Sequence, residues 1–134
     1  MTKYSLAFIQ SLDSSRILLI QKNRPAFLAG LYNGVGGHIE DGETPLDAVM
    51  RECDEEADLK IPASEWNSLG VISDNEHFEV HVFGAKWDIS KALARTDEPL
   101  QIFDMSEVHH IPLAPSAKEI LQKLGAVWPK PPQP

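Results

Sequence analysis

The residues from Thr44 to Leu59 constrain this 134-residue chain more than any other stretch. Thr44 offers a hydroxyl to the free N–H groups of a helix start, Pro45 suits the first helical position, and Asp47 places an acid in the first turn. Leu46, Val49, Met50, Cys53 and Ala57 then recur at spacings of three and four and form one apolar stripe. The pattern predicts a helix from Pro45 to about Ala57, its stripe set against a core.

The opposite face breaks local rules. Glu52, Glu55 and Glu56 share one side of the helix. Like charges at that spacing oppose helix formation by roughly a few tenths of a kcal/mol per pair. Asp54 and Asp58 add negative charge near the helix C-terminus, where the dipole favours cations. Two readings stand open: a solvated acidic face, or a site for a hard cation such as Mg²⁺, which takes carboxylate oxygens and keeps positions for water and phosphate. Broken local rules are expected at functional sites, but the helix alone does not choose.

The rest of the chain alternates strands and helices. Tyr4 to Gln10 and Arg16 to Gln21 read as strands joined by Asp13-Ser14-Ser15, and Arg24 to Leu31 as an irregular connection with Pro25 and Gly30. Asn33 to Ile39 is glycine-rich, so its backbone must bend or approach something closely. Ser68 to Ser73 and His77 to Trp87 read as a strand pair, Leu100 to Phe103 as a further strand, and Ser116 to Glu119 as the capping box of a second helix ending near Gly125. Residues 1–125 are expected to form a single domain, followed by an extended or disordered proline-rich tail at 126–134. The fold class is α/β, an α/β/α sandwich around a mixed sheet.

Charge narrows the partners. A net charge of −8 argues against nucleic acid or an anionic membrane as partner. Anionic small molecules are allowed if a cation bridges them to the protein. Cys53 is the single cysteine, so no internal disulfide forms, and the apolar runs are too short to span a bilayer. With no leader-like segment at the N-terminus, a cytoplasmic location is the expectation.

The wider window resolves the acidic helix. From Gly37, five residues lead to Glu43 and seven more to Arg51-Glu52-Cys53-Asp54-Glu55-Glu56-Ala57-Asp58-Leu59. This closely resembles the box of the Nudix hydrolase family, with every charged position matched in identity and spacing. Two positions depart from it. Cys53 stands for an aliphatic residue, a harmless exchange on the apolar stripe that makes it a core residue rather than a nucleophile. Asp58 stands for glycine, at a place where a left-handed conformation is common. Asp58→Gly is therefore expected to stabilise by up to roughly 1 kcal/mol.

The resemblance implies an enzyme that cuts a diphosphate linkage in a nucleotide-like substrate with Mg²⁺, Mn²⁺ being a possible substitute. Glu52 and Glu56 would be the principal metal ligands, with Glu55 and the Gly37 carbonyl as further ligands. Arg51 would pair with Glu43 and hold Glu52 in place. Glu40 would stand close by. Glu98, before a late strand, is the first choice for the proton acceptor, ahead of Asp97, Glu79 and Glu107. Leu31 to Gly37 resembles the segment of MutT-type relatives that clear oxidised purine nucleoside triphosphates, in which an asparagine reaches the base. Asn33 matches that asparagine, and the competing reading makes Asn33-Gly34 a simple turn. ADP-ribose, other nucleotide conjugates and capped dinucleotides stay open as substrates, as do a non-catalytic nucleotide-binding module and a homodimeric assembly.

Overall fold

The computed structural model describes residues 1–127, with side chains through Lys123. The elements run β1 (Thr2–Gln10), β2 (Arg16–Gln21), β3 (Tyr32–Asn33), β4 (Val35–His38), α1 (Pro45–Ala57), β5 (Asn67–Ser73), β6 (Phe78–Lys86), β7 (Leu100–Asp104) and α2 (Pro115–Val127). All seven strands join one mixed sheet. β1 is its centre. It pairs in parallel with β6 from Thr2↔Phe78 to Gln10↔Lys86, and antiparallel with β4 over Tyr4 to Ala7 and with β2 at Ile9 and Gln10.

Alternation along β1 sends its side chains to two cores. Ala7 and Ile9 pack with Leu18, Val49, Cys53 and Ala57, the apolar stripe of α1. Leu6 and Phe8 pack on the other side with Ile17, Leu19, Ala117, Ile120 and Leu121, the buried face of α2. A helix thus covers each face of the sheet, which is the expected α/β/α sandwich. No helix among the described residues is long and apolar enough to cross a membrane.

Helix α1 has the predicted ends. The Thr44 hydroxyl accepts from the Asp47 amide at 3.1 Å and Asp47 Oδ2 accepts from the Thr44 amide at 3.4 Å, a reciprocal cap worth about 1 kcal/mol. Asp58 closes the helix in the left-handed conformation, at φ 55° and ψ 35°.

Three readings are corrected. The glycine-rich stretch contains two short strands, β3 and β4, so close approach is the alternative that holds, and Gly34 between them has no positive φ, so the Asn33-Gly34 turn reading does not. Glycine is needed there for close approach: a Cβ on Gly34 would meet the Ala7 carbonyl oxygen at 2.4 Å, and one on Gly36 the Ser5 carbonyl oxygen at 2.1 Å. The second helix begins at Pro115, ahead of the expected cap at Ser116 and with the Lys118 amide bonded to the Ala114 carbonyl. It also continues past Gly125 to Val127, so Ala126 and Val127 are helical; the rest of the proposed tail, 128–134, lies outside the described residues.

Candidate active site

The site grows from the contact between α1 and β4. Glu52 lies directly over Gly37, so that a Cβ there would sit 2.7 Å from Glu52 Oε1. One turn on, Glu56 Oε2 accepts a hydrogen bond from the Gly36 amide at 3.2 Å. The two glycines let the carboxylates of the helix reach the sheet backbone.

Arg51 organises the acids around it. Its Nε donates to Glu43 Oε2 at 2.7 Å and its Nη2 to Glu43 Oε1 at 3.0 Å and to the His38 carbonyl at 3.1 Å. Its Nη1 reaches Glu52 Oε1 at 2.9 Å and Glu55 Oε2 at 3.1 Å, with the exposed Glu40 carboxylate 3.8 Å away. Hydrogen bonding to Arg51 holds Glu43 below the usual carboxylate range. The same contacts raise the pKa of Arg51, so it stays charged.

Glu56 makes no ion pair among the described residues, although the charge of Lys22 acts on it. Burial, and next the charge of Glu52, push its carboxyl up to about 7. Burial likewise raises Glu52 against the pull of Arg51. Among the described residues, no three histidine, cysteine or acidic side chains are already gathered to hold a metal ion. Arg51 draws Glu52 and Glu55 to itself while Glu56 turns to Gly36. The donor set nonetheless fits a hard divalent cation: three carboxylates on one helix face, with Glu56 not ion-paired to Arg51.

A cavity of roughly 440 Å³ adjoins this contact, and Gly36 and Gly37 line it together with Tyr4, Lys22, Asn33, Glu98 and Ser116. Glu98 is only 4% exposed, accepting from the Asn23 amide at 2.6 Å and from Lys22 Nζ at 3.0 Å. Burial works to raise its pKa, but the Asn23 amide and Lys22 outweigh it and hold Glu98 ionised below the ordinary value. Asn33 directs Nδ2 toward Ser116 Oγ at 3.5 Å and accepts from the Gly34 amide at 2.9 Å.

The other candidates fall away from the cavity. Asp97 pairs with Arg24 on the surface, Glu79 with His81 on β6, and Glu107 precedes a single turn of 3-10 helix. Cys53 is fully buried in the α1 core, and burial pushes its thiol up, away from nucleophilic chemistry. Asp58 has a partner that spacing did not suggest, an ion pair with Arg95. That half-exposed pair is worth little, so its loss only reduces the gain expected from glycine at this left-handed position.

Sequence reasoning missed Lys22, Arg24, Tyr4 and Ser116 as cavity residues. Lys22 and Arg24 carried a usable signal: two cations just beyond a buried strand, in a chain with 12 basic residues against 20 acidic ones.

Residues 3–124 match the Nudix domain. Over 85 residues the chain is 35% identical to the oxidized purine nucleoside triphosphate hydrolase of Mus musculus, a match covering 61% of this chain and 53% of that protein. The chain spans about half the length of the curated relatives it matches first. Among solved structures, the MutT Nudix hydrolase of Burkholderia pseudomallei superposes with a TM-score of 0.75 at 23% identity, covering 92% of this chain and 97% of that one. The Nudix domain of Shewanella oneidensis NrtR, complexed with ADP ribose, superposes with a TM-score of 0.79 at 16% identity, covering 95% and 88%. With the domain match spanning nearly its whole described length, and Gly37, Glu43 and the acids of α1 brought together around Arg51, the chain belongs to the Nudix family.

Proposed function

We propose that this chain is a pyrophosphohydrolase that uses a divalent cation, Mg²⁺ with Mn²⁺ as substitute, to cut a nucleoside triphosphate into monophosphate and pyrophosphate, with oxidised purines as the favoured class. One observation carries it. Gly36 and Gly37, which receive the carboxylates of Glu56 and Glu52, also line the cavity that holds Asn33. A charged diphosphate and a base can therefore be held side by side.

Glu52 and Glu56, with Glu55 and the Gly37 carbonyl, would hold the cation, which neutralises the diphosphate and makes an attacking water more acidic. The remaining work belongs to the chain's own groups. Arg51 fixes the rotamer of Glu52 and takes Glu43 as its counter-charge. Glu98, kept ionised by the Asn23 amide and Lys22, accepts the proton of the water. Lys22 and Arg24 place positive charge at the cavity, where phosphate oxygens need it. The Asn33 amide both donates and accepts, as recognition of a base edge requires.

The resemblance to an oxidized purine nucleoside triphosphate hydrolase supports this substrate class. ADP-ribose is the rival, since the NrtR domain binds it on the same fold. A turnover screen with Mg²⁺ separates them. 8-oxo-dGTP should yield monophosphate and pyrophosphate, whereas turnover of ADP-ribose alone would move the assignment to conjugates. Hydrolysis of no member of the screen would leave only a nucleotide-binding module.

A further inference from the structure

We propose that Asp58 and Arg95 form a tether that sets Glu98 in register with the acidic helix, an inference that rests on the reading of Glu98 above. The last turn of α1 meets the connection between β6 and β7. The Leu93 amide donates to the Ala57 carbonyl at 2.9 Å and the Arg95 amide to the Glu56 carbonyl at 3.2 Å. Helix-end carbonyls that would otherwise face water are thereby taken up by this segment.

Side chains strengthen the same contact. Arg95 Nη2 donates to Asp58 Oδ1, and Arg95 Nη1 stands 3.7 Å from Asp54 Oδ1. A guanidinium at a helix C-terminus also faces the negative end of the dipole. Asp58 is the box position at which this chain departs from glycine, and it retains the left-handed backbone that glycine would adopt more readily. Its carboxylate gives that departure a purpose. Thr96, next to Arg95, accepts at Oγ1 from the Glu98 amide at 3.2 Å, and Glu98, three residues beyond Arg95, enters its buried place against Lys22 and Asn23.

The chain from Arg95 to Glu98 is therefore anchored at both ends: on the helix that carries Glu52 and Glu56, and inside the cavity. Arg95 is a positioning residue. The ion pair itself is half-exposed and contributes little to stability. Its effect belongs in the geometry of Glu98, because a displacement of about 1 Å at a reacting group can cost a hundredfold in rate.

Asp58→Gly and Arg95→Gln in the full chain test this, the first keeping a residue suited to the backbone. Each should lower kcat on the order of tenfold with KM unchanged, and Arg95→Lys should recover part of the loss. In a Glu98→Gln background neither should lower kcat further, since the tether acts through Glu98. Independently of turnover, the Asn23 amide, which donates to Glu98, should exchange faster in both variants. Wild-type kcat and wild-type Asn23 exchange in Asp58→Gly and Arg95→Gln, beside a slowed Glu98→Gln, would overturn the tether. A wild-type rate in Glu98→Gln would instead overturn the role of Glu98, and with it the catalytic purpose of the tether, even where the Asn23 amide still responds.

Discussion

Arg51 and Glu43 meet through two parallel hydrogen bonds, Nε to Oε2 at 2.7 Å and Nη2 to Oε1 at 3.0 Å. This planar fork leaves Nη1 free to hold Glu52 at 2.9 Å. A lysine supplies the charge but cannot make both contacts at once. Arg51→Lys should therefore keep the fold and cut turnover on the order of 10- to 100-fold, as expected when the support of a metal ligand is lost. A steady-state assay across Mg²⁺ concentrations checks it. A near wild-type rate would show that Glu52 needs no such support.

Glu56 is a half-buried acid near Glu52 that accepts from the Gly36 amide. Glu56→Gln should lower turnover on the order of a hundredfold or more by removing a charge that would bind the cation. The same change should leave the melting temperature of the metal-free protein unchanged or higher, because it removes buried like-charge repulsion. Added Mg²⁺ should then raise the melting temperature less than in wild type. A mutant that hydrolyses substrate normally would sink the metal assignment.

If Glu98, held ionised in the cavity, is the proton acceptor, Glu98→Gln should lower kcat with little change in KM. Lys22 would also lose its charged partner, so a small gain in affinity for a phosphate-bearing substrate is expected beside the slower chemistry. Unchanged kinetics would return the role to the box acids.

Helix α1 and its cap were legible from local spacing, while the Arg51 pairing and the left-handed place of Asp58 were implied by the resemblance to the Nudix box. Strands β3 and β4 were not. Their glycines carry no apolar alternation, and their extended form is imposed by close packing on β1. Ser116 was misread as a cap for a related reason: its hydroxyl faces Asn33, 83 residues away in sequence. Glu98 was singled out by its place before a late strand in relatives, but its ionisation rests on the Asn23 amide and then Lys22, 75 and 76 residues distant. Local spacing writes the helix, and tertiary contact writes the cavity.

The turn between β5 and β6 gives a pH test away from the site. Asp74 Oδ1 accepts from the Phe78, Glu76 and His77 amides, and these bonds hold its carboxyl well below the usual range. A depressed folded pKa stabilises above the unfolded value, near about 4, and that contribution fades as pH falls through the folded value. Asp74→Ala should therefore melt below wild type at neutral pH, with the gap narrowing from about pH 5 downward. A gap that stays constant to the lowest pH at which the protein folds would mean that the turn is held by other contacts.

Substrate choice turns on Asn33. Its amide lines the cavity, with Nδ2 toward Ser116 Oγ at 3.5 Å, long enough for a ligand to compete for it. Gly34 is required by its approach to Ala7 and not by a positive-φ turn; Asn33 Oδ1 accepts from the Gly34 amide at 2.9 Å, which leaves Nδ2 as the group facing the cavity. The cavity offers hydroxyl and amide groups at this end, and its one acidic lining residue, Glu98, is engaged by Lys22 and Asn23. If Asn33 reads a purine edge, 8-oxo-dGTP should exceed dCTP in kcat/KM. Asn33→Ala should then erase much of that preference, since a lost base-edge contact is worth about 1–3 kcal/mol, or roughly 5- to 150-fold. The pyrimidine rate should change little, because the substitution leaves the diphosphate site proposed on α1 and β4 untouched. Equal rates on purine and pyrimidine triphosphates in the wild type, or an Asn33→Ala enzyme with its preference intact, would refute Asn33 as the reader of the base.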